Sequence, residues 1–316
     1  ESVNRWPDMQ FEYGLGLDGQ SNYEYGTSAN SSSSSAYGPR FEGQLFYQYN
    51  PFLQGKDTVA TPWRAYPNKI RDYFETGHTY NNSVTVDART NRTNMRFSYT
   101  NVQNTWIMPN TGYRRNTGAF SLNSKITDKL TVSTKVNYTN KYSDNLPGAG
   151  YGNQSIMYWF IFWQPNADLD WLRNYWQKWD NNGNPIEPGL KIEYPYSSFP
   201  ENPYAIAYEF LNRSNRNGIT GNVQATYNFS KNLSLMVRSS LDWSEEHRAQ
   251  KRPYDAGSRL VKGSLRTQDI RGQEATTDFL LRYDKTINSD WAMSLTAGGS
   301  TLTNTYRRHE LRADSL

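Results

Sequence analysis

The side chains that could perform acid–base or metal chemistry are scattered along this sequence. The three histidines, His78, His247 and His309, are far apart, and no metal-ligand spacing surrounds any of them. Glu245 and Glu246 are adjacent, so on a strand their carboxylates would point to opposite faces. The chain contains no cysteine, no phosphate-binding loop and no nucleophile elbow. We therefore expect a protein that is not an enzyme and that uses no metal or cofactor.

Tryptophan is the residue type whose spacing favours a binding role. Five tryptophans are concentrated in one segment, at Trp159, Trp163, Trp171, Trp176 and Trp179. Exposed indole rings could stack on sugars or dock a partner, so these five are the candidate substrate-binding residues. The alternative is a small hydrophobic core that lets the segment fold on itself, because an indole is a large apolar group. The sequence leaves both interpretations open.

These tryptophans belong to the longest stretch without a strand pattern, residues 143–217. A connection of this length is uncommon unless it has a function. Within it the sequence predicts a short helix at 155–163, interrupted by Pro165, and a second, amphipathic helix at 168–179. One more short helix is predicted at 68–78, where Gly77 provides a C-terminal stop.

A second group of candidates is defined by the face of the predicted strands on which it lies. In residues 113–142, apolar side chains occupy even positions from Phe120 onward, and polar side chains lie between them. A β-strand turns alternate side chains to opposite faces, so this segment has one apolar and one polar face. The polar faces of the predicted strands carry Arg96, Lys125, Lys135, Gln224 and Arg238. Four of these five side chains are basic, which favours anionic or polar ligands.

The same alternation repeats in four hairpins whose arms are joined by tight polar turns, at 89–94, 126–130, 229–233 and 287–291. The segments between hairpins are longer, at 101–113, 143–217 and 245–275. Short turns at one end and long connections at the other are typical of outer-membrane barrels. The arms also exceed the usual ~5–6 residues of a globular strand and match the ~9–11 residues of a membrane-spanning one.

The hairpins therefore predict an all-β, antiparallel transmembrane barrel. Residues 79–142 should form four consecutive strands, with the turns near 91 and 128 at the same end. The apolar side chains that should share one exposed, lipid-facing surface are Leu122, Val132, Val136, Val223, Leu235, Val237, Leu281 and Leu295.

Composition limits the classes of protein that fit. A mean hydropathy of −0.88 and 36% apolar residues exclude a helical membrane protein, whereas a barrel needs only alternate apolar residues. Aromatic residues make up 15% of the chain, which suits both the aromatic girdles of a barrel and a secreted β-rich carbohydrate-binding module. The net charge of +4 is spread along the chain, so we expect no nucleic-acid partner.

Several segments, in order, resemble motifs of the SusC/RagA family of TonB-linked outer-membrane transporters of Bacteroidota. QFEYGLGLDG and SSAYGPRFEGQ are similar to Q-x-E-Y-G-x-G and W-G-P-x-x-D-G, with Tyr37 in place of Trp and Glu42 in place of Asp. IRDYFETGHTYNNSV resembles D-F-F-x-T-G-x-T-x-x-N-S. The run MRFSYTNVQNTWIMPNTGYRRNTGAFSLNSKITDKLTV resembles R-x-S-Y, G-x-x-P-N-x-x-Y-x-R and L-T-V. ENPY and EATTDFLLRYDKTI also fit.

This resemblance implies that residues 1–316 are part of a TonB-dependent receptor barrel domain, without its plug domain and C-terminal strands. The expected fold is an open partial barrel of roughly 8–10 strands, with 143–217 as a partly helical extracellular loop insertion. The implied location is the outer membrane of a Gram-negative bacterium. The implied partners are outer-membrane lipid, a SusD-like surface lipoprotein, the TonB–ExbB–ExbD complex, and a glycan or peptide as imported nutrient.

Overall fold

The computed structural model describes residues 9–17, 23–25, 35–148, 155–180, 182–193, 202–255 and 262–314. Among its described residues, the N-terminal part contains four two-residue strands and one short helix. The strands are β1 (Leu45–Phe46), β2 (Tyr49–Asn50), β3 (Gly55–Lys56) and β4 (Thr61–Pro62), which pair as β1–β4 and β2–β3. The helix is α1 (Lys69–Tyr73).

An antiparallel sheet of eight strands follows. The strands are β5 (His78–Arg89), β6 (Thr93–Thr105), β7 (Gly112–Lys125), β8 (Leu130–Ser143), β9 (Asn212–Asn228), β10 (Leu233–Arg252), β11 (Ser264–Thr286) and β12 (Ala292–Ala313). Each strand pairs with its neighbour in sequence, so the sheet is a meander. The predicted four strands between 79 and 142 are confirmed, with both tight turns at the same end.

The two edges of the sheet are β5 and β12, and within the described ranges these two strands do not pair with each other. Closure between them would have indicated a complete small barrel or sandwich. The sheet is therefore open, which confirms the expectation of an all-β partial barrel in its strand pattern.

The sheet has two chemically different faces because directly paired residues point the same way. We call apolar face the side that carries the row Val86, Phe97, Phe120, Val136, Gly221 and Leu241. The polar face carries the adjacent row Asp87, Arg96, Ser121, Lys135, Asn222 and Ser240. All eight predicted residues lie on the apolar face, as the register shows. The expected exposure is found for five of them, Val136, Val223, Val237, Leu281 and Leu295, whereas Leu122, Val132 and Leu235 are half-buried.

The strands are longer than the apolar alternation predicted. The stretches 101–113 and 245–275 were expected to be connections, but β6 continues to Thr105, and β10 and β11 leave only residues 253–263 between them. These strand ends carry polar residues on both faces, so periodicity could not reveal them. Cross-strand ion pairs accompany their backbone pairing, for example Glu245–Arg271 at 2.6 Å.

The buried core of the protein lies at the long-connection end of the sheet. It joins the N-terminal part to the β8–β9 connection, which contains α2 (Ile156–Ile161), a 3-10 helix (Leu169–Leu172) and α3 (Pro203–Glu209). We call it the aromatic core; its buried members include Leu15, Trp63, Tyr73, Phe160, Trp163, Leu169, Leu172, Ile192 and Tyr204. The Tyr73 ring lies 5.1 Å from the rings of both Phe160 and Tyr204, so α1 packs against two helices of the connection.

Two of the predicted helices form in shortened versions, as α1 and α2, whereas the helix predicted at 168–179 is wrong. Only the 3-10 turn at Leu169–Leu172 forms there. The Asp168 carboxylate accepts the Asp170 N–H at 3.0 Å and starts this turn. Beyond it the chain becomes extended, and Trp176 pairs with Ile192 across a bend in which Gly183 has a φ of +80°. This local pairing of extended segments forms in place of the predicted amphipathic helix.

Candidate functional site

A recess of about 540 Å³ opens on the polar face of the sheet. Its polar lining comes from six adjacent strands, β5 to β10, and includes Asp87, Arg96, Lys135, Asn222, Gln224 and Arg238. One recess can collect side chains from six neighbouring strands only if the sheet curves around it, so this face is concave. The interior of the curve is thus polar and its exterior apolar.

Four of the five predicted polar-face residues line this recess: Arg96, Lys135, Gln224 and Arg238. Lys125 shares their face through the register of β7 with β8, but it does not line the recess. The candidates named from the sequence did not include Asp87 or the amide side chains of Asn94, Asn123 and Asn222, which also line the recess. Their positions alternate with apolar residues in the same way, so the same parity assigns them to the polar face.

Two of the three cations in the recess are held by carboxylates. Arg96 donates two hydrogen bonds to Asp87, at 2.7 and 3.2 Å. Arg238 donates two to one oxygen of Asp278, at 3.1 and 3.0 Å. Lys135 makes no ion pair within the described part of the chain. The recess therefore combines neutralised arginine–aspartate pairs with one uncompensated ammonium group.

The structure does not gather the five predicted tryptophans on one surface. Trp163 is 6% exposed and belongs to the aromatic core, and Trp176 packs against that core. Trp171 is half-buried, with its ring 5.8 Å from Tyr66 and 6.2 Å from Tyr49. These positions agree with the core interpretation. Among the five predicted tryptophans, the side chain of Trp159 lies outside the described residues, and of the other four Trp179 is the exposed one, at 42%.

A buried carboxyl group was also missed. Glu193, which directly follows Ile192 of the aromatic core, is only 8% exposed, and burial raises its pKa to about 7 despite a hydrogen bond from the Tyr49 side chain. The same burial raises the pKa of Tyr49 above its usual range. The pair links the β8–β9 connection to β2. Nothing in the local sequence around Glu193 separates it from the exposed glutamates.

The described residues contain neither a membrane-spanning helix nor a group of metal-ligating side chains. None of the described helices has both the length and the apolar character to cross a membrane. No group of three or more histidine, aspartate or glutamate side chains in the described ranges could hold a metal ion.

Comparison with solved structures identifies proteins of similar fold. A chain of the RagAB peptide importer in its closed-closed state is 16% identical, with a TM-score of 0.54 over 78% of the present chain. The RagAB peptide transporter is 14% identical with a TM-score of 0.54, and the open-open importer is 16% identical with 0.53. At this identity the similarity establishes the fold. The present chain spans about 30% of the length of those chains.

No protein-family model matches the sequence, and the comparison with curated proteins gives no match. What is established is a curved, open, β-rich sheet of the kind found within chains of a peptide importer.

Proposed function

We propose that this chain forms part of the wall of a SusC/RagA-like, TonB-dependent transporter that imports a peptide or glycan across an outer membrane. In this proposal the apolar face contacts lipid and the polar face lines the path of the nutrient. The wall binds and guides the substrate without catalysing a reaction. Support comes from the fold of the RagAB structures and from the two faces of the sheet.

The observation that carries the proposal is the height of the apolar band, the part of the apolar face over which the strands carry apolar side chains. On β10 the band runs from Leu233 to Trp243, a rise of about 34 Å along the strand, and is interrupted by Ser239, whose hydroxyl is hydrogen-bonded to that of Thr277. With a tilt of about 40°, this segment spans about 26 Å across a bilayer, close to the ~25 Å apolar band of outer-membrane barrels. The strand then continues to Arg252 with polar side chains on both faces. An apolar surface bounded in this way fits the hydrocarbon layer.

The same arrangement supports the proposed partners. The aromatic core lies at the long-connection end, which in outer-membrane barrels is the extracellular end. A surface lipoprotein would meet the protein there, and the similar structures are those of the RagAB peptide importer. Energy would come from the TonB–ExbB–ExbD complex, as the resemblance of the sequence motifs to TonB-linked transporters implies.

Uptake in cells tests the proposal. A strain that lacks the gene should fail to accumulate labelled oligopeptides or oligosaccharides, and the wild-type gene should restore uptake. The protein should be recovered in the outer-membrane fraction and should require detergent for extraction. A native protein that stays soluble and monodisperse without detergent would contradict the proposal and favour a secreted carbohydrate-binding module. That module requires apolar faces that meet in a closed core, whereas Val136, Val223 and Val237 on the apolar face are exposed.

A further inference from the structure

The charges of the polar recess do not balance. Arg96, Lys135 and Arg238 line the recess as three cations, and Asp87 is the carboxylate in its lining. Asp278, beside the recess, pairs with Arg238, so the two carboxylates leave one positive charge. Both carboxylates accept hydrogen bonds from arginines, so they are already engaged. The remaining charge is located on Lys135, which is exposed to solvent. A ligand that complements this recess carries a negative charge.

The register of the sheet places hydrogen-bonding groups around the Lys135 ammonium group. Lys135 is paired directly with Ser121 on β7 and with Asn222 on β9, so all three side chains share the polar face. Ser133 lies two residues before Lys135 on β8, on the same face, and is paired with Asn123 on β7 and Gln224 on β9. Hydroxyl and amide groups can donate to an anion that the ammonium group attracts. The immediate surroundings of Lys135 therefore suit an oxyanion.

The arginine pairs limit the size of this site. Arg96 lies in the same row as Lys135, two strands away, so their Cα atoms are about 10 Å apart at the usual strand spacing. Arg238 lies two strands away on the other side, one pleat along. Each guanidinium group is fixed by its aspartate. The two pairs thus flank a central position that a single carboxylate can occupy at Lys135.

We propose that Lys135 binds a carboxylate group of a soluble ligand in this recess. The inference rests on the proposed function, since it assumes that the recess faces the path of the nutrient, and it specifies the chemical class: an acidic peptide or an acidic sugar. The ammonium group supplies the charge-assisted hydrogen bond, and Ser121 and Asn222 flank it.

Matched ligands that differ only in one carboxylate provide the test. Isothermal titration calorimetry on the protein in neutral detergent would compare a capped alanine pentapeptide with one glutamate against the same peptide with glutamine. A second pair, glucuronate and glucose, separates acidic sugars from acidic peptides. We expect the wild type to prefer the charged member of at least one pair by about fivefold in Kd, the value of one exposed ion pair. Raising the salt from ~0.05 to ~0.5 M should reduce this preference.

Three variants assign the preference to one side chain. Lys135→Gln should abolish it, whereas Lys135→Arg should retain it because the charge remains. Lys125→Gln is the matched control, since Lys125 is an exposed lysine on the same face that does not line the recess. The proposal is overturned if the wild type shows no preference in either pair, or if Lys135→Gln keeps the preference in full. Uptake of labelled nutrients by cells is measured separately, so transport can be confirmed even when this preference is absent.

Discussion

A charge placed on the apolar face should destabilise the protein far more than the same charge placed one residue later. Val132 lies on the apolar face, in the row that continues through Ala225 and Val237 to Phe279. Because this row crosses the interior of the apolar band, Val132→Arg should cost about 2–4 kcal/mol in a bilayer. That range corresponds to a roughly 30- to 900-fold change in the unfolding equilibrium.

Ser133→Arg is the matched control, because Ser133 is the next residue on the same strand and lines the polar recess. Its arginine would remain in water, so the expected change lies within about 0.5 kcal/mol. The assay is reversible guanidinium unfolding in phospholipid vesicles, followed by tryptophan fluorescence. A third variant, Tyr138→Arg, lies near the edge of the band and should cost only about 0–1 kcal/mol, because the penalty depends on depth.

Equal costs at Val132 and Ser133 would refute the assignment of the two faces. Arginine substitutions at Val132 and Tyr138 that cause equal, large losses of stability would contradict lipid contact. In a bilayer the loss depends on depth, whereas a protein core would bury both positions without such a dependence.

Three further predictions concern the aromatic core and its attachment to the sheet. Trp163→Ala should destabilise the protein by about 3–5 kcal/mol in chemical unfolding, whereas Trp179→Ala should have little effect, because only Trp163 is buried. Burial raises the folded-state pKa of Glu193 to about 7, above its unfolded value. Its contribution to the free energy of unfolding is therefore complete below about pH 4.3 and is lost as the pH rises through 7. The loss should reach roughly 3 kcal/mol, and a stability profile of Glu193→Gln that keeps the same slope would contradict this assignment. Asn145→Ala removes hydrogen bonds to Asn110 O at 3.2 Å and Ala207 O at 3.0 Å and one from Asn212 N at 3.0 Å, so it should cost about 2–3 kcal/mol and increase hydrogen exchange at the start of β9.

The alternation of apolar and polar residues was sufficient to predict the centre of each hairpin. Phe120 and Val136 lie on one face and are cross-strand partners, as the pattern around the turn at 127–129 required. The same parity predicts one shared face for Arg96, Lys135, Gln224 and Arg238, and the pairing register places all four there. Period-two patterning is strong there because one side of each strand is apolar throughout.

Other features depend on contacts between distant parts of the chain. The ends of β10 and β11 carry Glu245 and Arg271, which become recognisable as strand residues only when the register brings them together. The burial of Trp163 required packing against the N-terminal part of the protein, and no local pattern separates Trp163 from the exposed Trp179. The uncompensated charge on Lys135 likewise emerged only after Asp87 and Asp278 were seen to bind the two arginines.

The order of the strands has a consequence for how the chain folds. Neighbouring strands are joined by short turns within β5–β8 and within most of β9–β12, so these pairings have small sequence separation and can form early. The pairing of β8 with β9 must instead close residues 144–211, which costs about 2.5 kcal/mol more in loop entropy than a four-residue turn. If the aromatic core forms first, it shortens the effective loop. A core variant such as Trp163→Ala should then slow the pairing of β8 with β9, which joins β5–β8 to β9–β12. Hairpin formation within each of these two groups of strands should keep its rate.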